Sequence, residues 1–150
     1  MSVALTGKDT TILDTRMLTD FGTGDVVNIE APNNLVELKQ GKNGNAIYAY
    51  NASGKQVNVT VRVIRGSADD KYLASRMQEY INDPAGFVLI SGEFIKRSGD
   101  GAGNITNEVY TLSGGVIQKL PGGKENVEGD TEQAISIYVI VFANADRVLG

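Results

Sequence analysis

The sequence predicts a mainly β protein with a single docked helix. Three observations carry that prediction: a strictly alternating segment, one capped amphipathic segment after it, and glycines gathered between extended stretches. Val57, Val59, Val61 and Val63 share one parity while Asn58, Thr60 and Arg62 take the other, so one face of this strand packs on a core and the other meets water or a partner. Glycine supplies 18 of the 150 residues, well above the usual ~7%. With 41% apolar and 21% charged residues the chain falls in the range of globular proteins, and its length fits one domain over residues 1–150.

Taken in order, Gly22 and Gly24 precede a strand at Val26 to Glu30. Gly41 and Gly44 then divide Leu35 to Lys39 from Ala46 to Tyr50, the two arms of a hairpin. Gly54 introduces the alternating strand, Gln56 to Arg65. Ser67 is placed to cap a helix with Asp70 three residues on, and Asp69 and Asp70 sit where the helix dipole favours negative charge. Leu73, Met77, Tyr80 and Ile81 follow at i, i+4, i+7 and i+8, one stripe for packing on a sheet, and Pro84 with Gly86 ends the helix. Its other side carries Lys71, Arg76 and Glu79, solvated or facing a neighbour. Further strands are expected at Phe87 to Lys96, Ile105 to Leu112 and Val116 to Leu120, with a hairpin loop at Ser98 to Asn104 and a break at Gly114-Gly115. The last strand, Ala134 to Ala143, is apolar on both parities apart from Ser136 and so needs cover on both faces.

The missing residue types exclude much chemistry. The chain has no His and no Cys, which removes the usual general base, thiolate nucleophile, zinc ligands and disulfides. A formal charge of −4, with its 14 basic residues scattered, argues against a surface built to neutralise phosphates. Ser98 to Asn104 lacks the spacing of a phosphate or calcium loop, and Glu125, Glu128, Asp130 and Glu132 read as a solvated acidic loop rather than a metal site. No signal peptide or membrane span is expected, and the tripeptides at Asn51, Asn58 and Asn104 carry no weight as glycosylation sites. No enzyme, cofactor or metal is expected. A carboxylate-dependent sugar-binding or sugar-hydrolysing β-sandwich stays open as a distant alternative. A small acidic β chain has sheet edges to protect, and copies of itself can cover them.

Several segments in order carry a more specific likeness: Leu18 to Val27, Gly41 to Tyr50 with Gly54-Lys55-Gln56, Arg65 to Lys71, Ser91 to Phe94, Leu112 to Gly115, Asn126 to Gln133 and Phe142 to Ala145. Together they resemble the tail tube proteins of contractile-tailed bacteriophages. The resemblance implies an antiparallel β-sandwich or half-barrel with one α-helix, completed into a closed barrel in a ring assembly. It implies hexameric rings stacked into a tube inside a sheath, in a virion tail assembled in the host cytoplasm. Partners implied are copies of the chain, the tail sheath, a tape-measure protein in the lumen, baseplate and tail terminator proteins, and DNA that transits unbound. The tube of a genome-free, phage-derived contractile particle is the alternative. If each of six subunits lends about four strands, roughly 24 strands at ~4.8 Å enclose a bore of ~37 Å before tilt, and acidic walls would repel DNA rather than hold it. Glu30, Glu37, Glu93 and Glu108 are the expected lumen-facing residues. The hairpin carrying Lys39, Ile47, Tyr48 and Tyr50 is expected to stack rings, and the helix bearing Lys71, Arg76 and Glu79 to face the sheath.

Overall fold

The computed structural model describes residues 3–5, 9–22, 26–121 and 134–150. Gly24 and the acidic quartet Glu125, Glu128, Asp130 and Glu132 lie outside them. In chain order the elements are β1 (Ala4–Leu5), β2 (Thr10–Leu13), β3 (Arg16–Met17), β4 (Val27–Glu30), β5 (Val36–Gln40), β6 (Ala46–Tyr50), a 3₁₀ turn (Ala52–Lys55), β7 (Val57–Ile64), α1 (Ala68–Asn82), β8 (Ile90–Gly99), β9 (Ile105–Ile117) and β10 (Ile135–Leu149). The class is mainly β with one helix, as the sequence predicts, and the sheet is antiparallel and open in the single chain.

Strand order in the large sheet is β3-β2-β8-β9-β10-β7-β4, with β1 also paired to β8. One face holds the core. Val57, Val59, Val61 and Val63 of β7 are buried on it, and register brings Phe142, Ile140 and Tyr138 of β10 opposite the first three. Leu73 of α1 joins them. The sheet curls so that Val27 and Ile29 of β4 confront Thr10, Thr11 and Phe94 of β2 and β8 across a cleft of about 390 Å³. A half-barrel results, with its two borders unjoined.

The Gly114-Gly115 pair does not end a strand; β9 runs straight through it. The reason is steric. A Cβ on Gly115 would lie 2.5 Å from Cε1 of Phe142 and 2.8 Å from the Ile90 carbonyl oxygen, and Gly114 takes a φ of +71°. The two glycines let β9 pass beneath the Phe142 ring while the core-facing parity changes, from Gly115 and Ile117 to Leu112 and Tyr110. β10 changes parity alongside, with Phe142 and then Ala145 packing inward, and extends to Leu149 rather than stopping at Ala143.

Helix α1 starts directly after Ser67 and ends two residues before Pro84, as the cap and stop signals predict, and Ser67 Oγ accepts from the Asp70 amide at 3.3 Å. Asp70 reaches back past the cap residue to accept from the Gly66 amide at 2.8 Å, while the Ser67 amide donates to the Ile64 carbonyl. Only the first half of the apolar stripe is covered: Leu73 is buried and Met77 half-buried, whereas Tyr80 and Ile81 are exposed. The helix runs past the sheet surface there, and Tyr80 packs edge-on against Phe87 instead.

Replacing Gly115 by Ala should cost about 1–3 kcal/mol, because the added methyl must displace Phe142 and the Ile90 backbone. Urea unfolding of G115A beside an exposed-site control such as Ser53→Ala checks it.

Candidate functional site

Two features of the fold are unfinished: the borders of the half-barrel, and the hairpin β5–β6. β5 and β6 form a separate two-stranded sheet paired over Val36↔Tyr50 to Gln40↔Ala46. Its turn closes with Gly44 at φ +82°, donating to the Gly41 carbonyl at 3.1 Å, while the Gly41 amide donates to Asn45 at 2.6 Å. At the base the Asn51 amide donates to the Leu35 carbonyl at 2.8 Å, the next rung of the ribbon's own ladder, and Gly54 lies so close to Leu35 that a Cβ there would fall 2.5 Å from the Leu35 Cα. Lys55 Nζ reaches the large sheet, pairing with Asp146 of β10 at 2.9 Å.

Every residue of β5 and β6 is exposed. Register sorts the side chains: Val36, Leu38, Tyr48 and Tyr50 share one face, and Glu37, Lys39, Ala49 and Ile47 the other. Tyr48 is 72% and Tyr50 69% exposed, so among the described residues this apolar face is left largely uncovered. Such a patch marks an interaction surface, and a two-stranded ribbon alone is marginal in water. Sequence reasoning singled out Lys39, Ile47, Tyr48 and Tyr50; the structure places the tyrosines on the apolar face and Lys39 with Ile47 on the mixed one. Val36 and Leu38, which complete the apolar face, were missed. Their two-residue spacing, matched across the turn to Tyr48 and Tyr50, was the signal.

The four glutamates do not share one face. Glu30 pairs with Asn58 of β7, opposite the valine side, and Glu93 aligns with Thr111 and through it Asp146, opposite Phe94 and Leu112. Both therefore lie on the helix-free face of the sheet, as do Asn58, Thr60 and Arg62. Half-buried Ile137, Val139 and Val141 stand among these. Glu37 is on the hairpin. Glu108 is on the core-side face, bound by Arg147 Nε at 2.6 Å, a hydrogen bond that holds its carboxyl below the usual carboxylate range.

On α1, Lys71 and Glu79 are exposed, but Arg76 is not a free surface charge. Its side chain is 15% exposed, pairs with Asp14 at 3.2 Å and Glu79 at 2.7 Å, donates to the Val88 carbonyl at 2.6 Å and covers the Phe87 ring. Asp14 also accepts from Tyr72 Oη at 3.1 Å and the Ser91 amide at 3.0 Å. Burial, with this hydrogen bond, pushes the Tyr72 phenol up to about 12. Tyr138 Oη donates to Asp70 at 2.6 Å, and its phenol is likewise raised by burial first and that bond second. Asp69, buried, accepts from Arg16 Nε and the Thr19 and Asp20 amides. These carboxylates are consumed in anchoring the helix. The Asp100 carboxylate likewise folds its own loop, accepting from the amides of Ala102 and Asn104. Among the described residues no group of three or more Asp and Glu side chains converges as a metal site requires, and no helix is long and apolar enough to cross a membrane.

No protein-family model and no curated protein sequence matches the chain. Solved structures do match in fold. A chain of the sheath–tube complex of the PVC extracellular contractile injection system, in its extended state, superposes with a TM-score of 0.55 at 9% identity, covering 95% of this chain and 87% of that one. A chain from the sheath/tube terminator of the PVC system gives 0.54 at 11% identity, over 95% and 92%. A chain from the tube-terminating cap of the anti-feeding prophage gives 0.55 at 11%, over 98% and 90%. At these identities the likeness is one of fold.

Tyr72 and Tyr138 bear on alkaline stability. An unfolded tyrosine ionises near 10, while the folded chain keeps these two protonated to higher pH. The unfolded state then binds fewer protons, so stability is fully present below pH about 10 and falls as pH rises towards and beyond 12. Thermal melts across that range should show the loss, and Tyr72→Phe with Tyr138→Phe should flatten it.

Proposed function

We propose that this chain is a structural, non-catalytic subunit of the tube of a contractile tail-like particle. Copies complete one another's open half-barrels into a ring, and rings stack into a hollow tube. The observation that carries the reading is the hairpin β5–β6, exposed on both faces with an uncovered apolar side. The unjoined sheet borders and the fold likeness to chains from contractile injection systems support it.

In this reading β4 of one copy extends the β1–β3 border of the next, which satisfies the free backbone groups of both. Six copies make the ring. The helix-free face lines the bore, placing Glu30 and Glu93 there; Glu108 and Glu37 belong to the core-side face and the hairpin. The described strand residues of that face carry Arg62 and Arg97 against Glu30, Glu93 and Asp146, and six chains at −4 sum to about −24 per ring. Walls of this kind let a polyanion slide. The bore would pass a tape-measure protein and then DNA in a phage, or another cargo in a genome-free particle. The hairpin, with Tyr48 and Tyr50 beside Val36 and Leu38, docks on the adjoining ring, while Lys71 and Glu79 on α1 meet the sheath. Baseplate and terminator proteins close the tube's ends.

A second reading is favoured by two of the fold matches, which come from terminator and cap assemblies: the chain would form the single ring that closes a tube. Electron microscopy of the purified protein separates the two. Long tubes are expected, single rings select the cap reading, and a chain that stays monomeric at high concentration overturns both. Tyr48→Asp should abolish stacking while leaving the thermal unfolding of the single chain unchanged, since Tyr48 packs on no core residue. DNA added at low salt should show no retardation by the assembled protein.

A further inference from the structure

Asn43-Gly44 is the chain's only Asn-Gly step, and it sits at the tip of the β5–β6 hairpin. We propose that Asn43 is a self-modifying site, where the chain converts its own asparagine to aspartate and isoaspartate in the unassembled subunit. Four observations converge there. The whole tip is exposed. Gly44 offers no side chain to shield its nitrogen, and nothing lies within 4 Å of where one would start. No hydrogen bond to the Asn43 side chain is present among the described residues, whereas those of Asn51, Asn33 and Asn104 are held. The Gly44 amide is restrained by a single turn bond to Gly41, which opens cheaply at an exposed tip. The chain's Asp-Gly step, Asp100-Gly101, which could close the same imide, has its carboxylate fixed by Ala102 and Asn104.

The chemistry needs only water. The Gly44 backbone nitrogen attacks Cγ of Asn43, a C–N bond forms, and the side-chain nitrogen departs as ammonia with the proton lost by Gly44. Water then opens the cyclic imide at either carbonyl. One product has an ordinary aspartate in place of the asparagine, and the other carries the chain through the side-chain carbonyl as isoaspartate. Both add a negative charge beside Lys42. The isoaspartate also lengthens the main chain by one methylene inside a tight turn, loosening the Lys39↔Ile47 and Leu38↔Tyr48 register. This consequence for assembly rests on the reading of the hairpin as a docking element. Unassembled subunits would lose competence with age, while subunits docked through the hairpin keep the turn closed.

The test is peptide mapping by mass spectrometry of full-length protein held warm at mildly alkaline pH, as free subunits and as preformed assemblies. Expected is time-dependent conversion of the peptide containing Asn43 into aspartyl and isoaspartyl forms, faster with rising pH, slowed in assemblies and absent in Asn43→Gln. Aged free protein should assemble less than fresh protein, and Asn43→Gln should keep its competence over the same period. An Asn43 that stays intact in free subunits while exposed control peptides deamidate overturns the proposal and leaves the tube reading standing. Conversion without loss of assembly overturns the consequence alone. Fresh protein that fails to assemble at all overturns the tube reading, and the mapping then decides the chemistry by itself.

Discussion

A β-sheet that curls without closing leaves a row of backbone donors and acceptors on each border, and that constraint governs the rest of this molecule. The sheet has seven strands in line from β3 to β4, with β1 beside β2 on β8, and its interior is packed well enough to hold a curved shape: Val59, Val61, Ile140 and Phe142 have no exposed surface. Yet the curl stops short of bringing β4 to β2, and a cleft rather than a hydrogen-bonded seam lies between them. Unsatisfied borders are a hazard unless they are paired, covered or charged. In this fold they are short, four residues at β4 and two at β3, which limits adventitious pairing.

The polar groups are divided between two tasks. Buried Asp69 gathers the Arg16 guanidinium and two amides of the Thr19-Asp20 segment, so the helix start and the chain leaving β3 are tied to one carboxylate. Asp14 does the same for β8 and α1 through Ser91, Tyr72 and Arg76. Removing one partner of such a buried set leaves the other unpaired, which costs more than the bond itself contributes. The core side is therefore fastened by specific polar contacts, and the helix-free side carries Asn58, Thr60 and Glu30 with a half-buried aliphatic row. That asymmetry distinguishes a face built to hold the subunit together from one free to meet something else.

How much of this was legible in the sequence depended on range. Alternation in β7, the cap at Ser67 and the arms of the hairpin are local signals, and the structure keeps them within a residue or two. The strands β1 to β3 were not foreseen, because Ala4–Leu5 and Arg16–Met17 are two residues long and owe their conformation to pairing with β8 and β2 rather than to pattern. Gly114-Gly115 read as a break for want of the one fact that explains it, the Phe142 ring lying on that spot. Arg76, three residues after Leu73 and so beside the apolar stripe, read as a surface charge because the groups that enclose it, Asp14, Val88 and Phe87, arrive from other parts of the chain. The glutamates looked alike for the same reason: strand membership is written locally, but which face a strand turns inward after a parity change is not.

The hairpin joins these threads, because its backbone is satisfied within itself while its apolar side is left exposed. The bond from Asn51 to Leu35 and the close approach of Gly54 close the ribbon's own base, and the Lys55–Asp146 pair links that base to β10. Among the described residues the ribbon's apolar side stays exposed, with Tyr50 bordering a shallow cleft against Val57 and Tyr110. Covering Tyr48 and Tyr50 would contribute roughly 1.5–3 kcal/mol for each large side chain buried, and the single chain leaves that contribution unrealised. That contribution is open to a surface that meets the ribbon from outside.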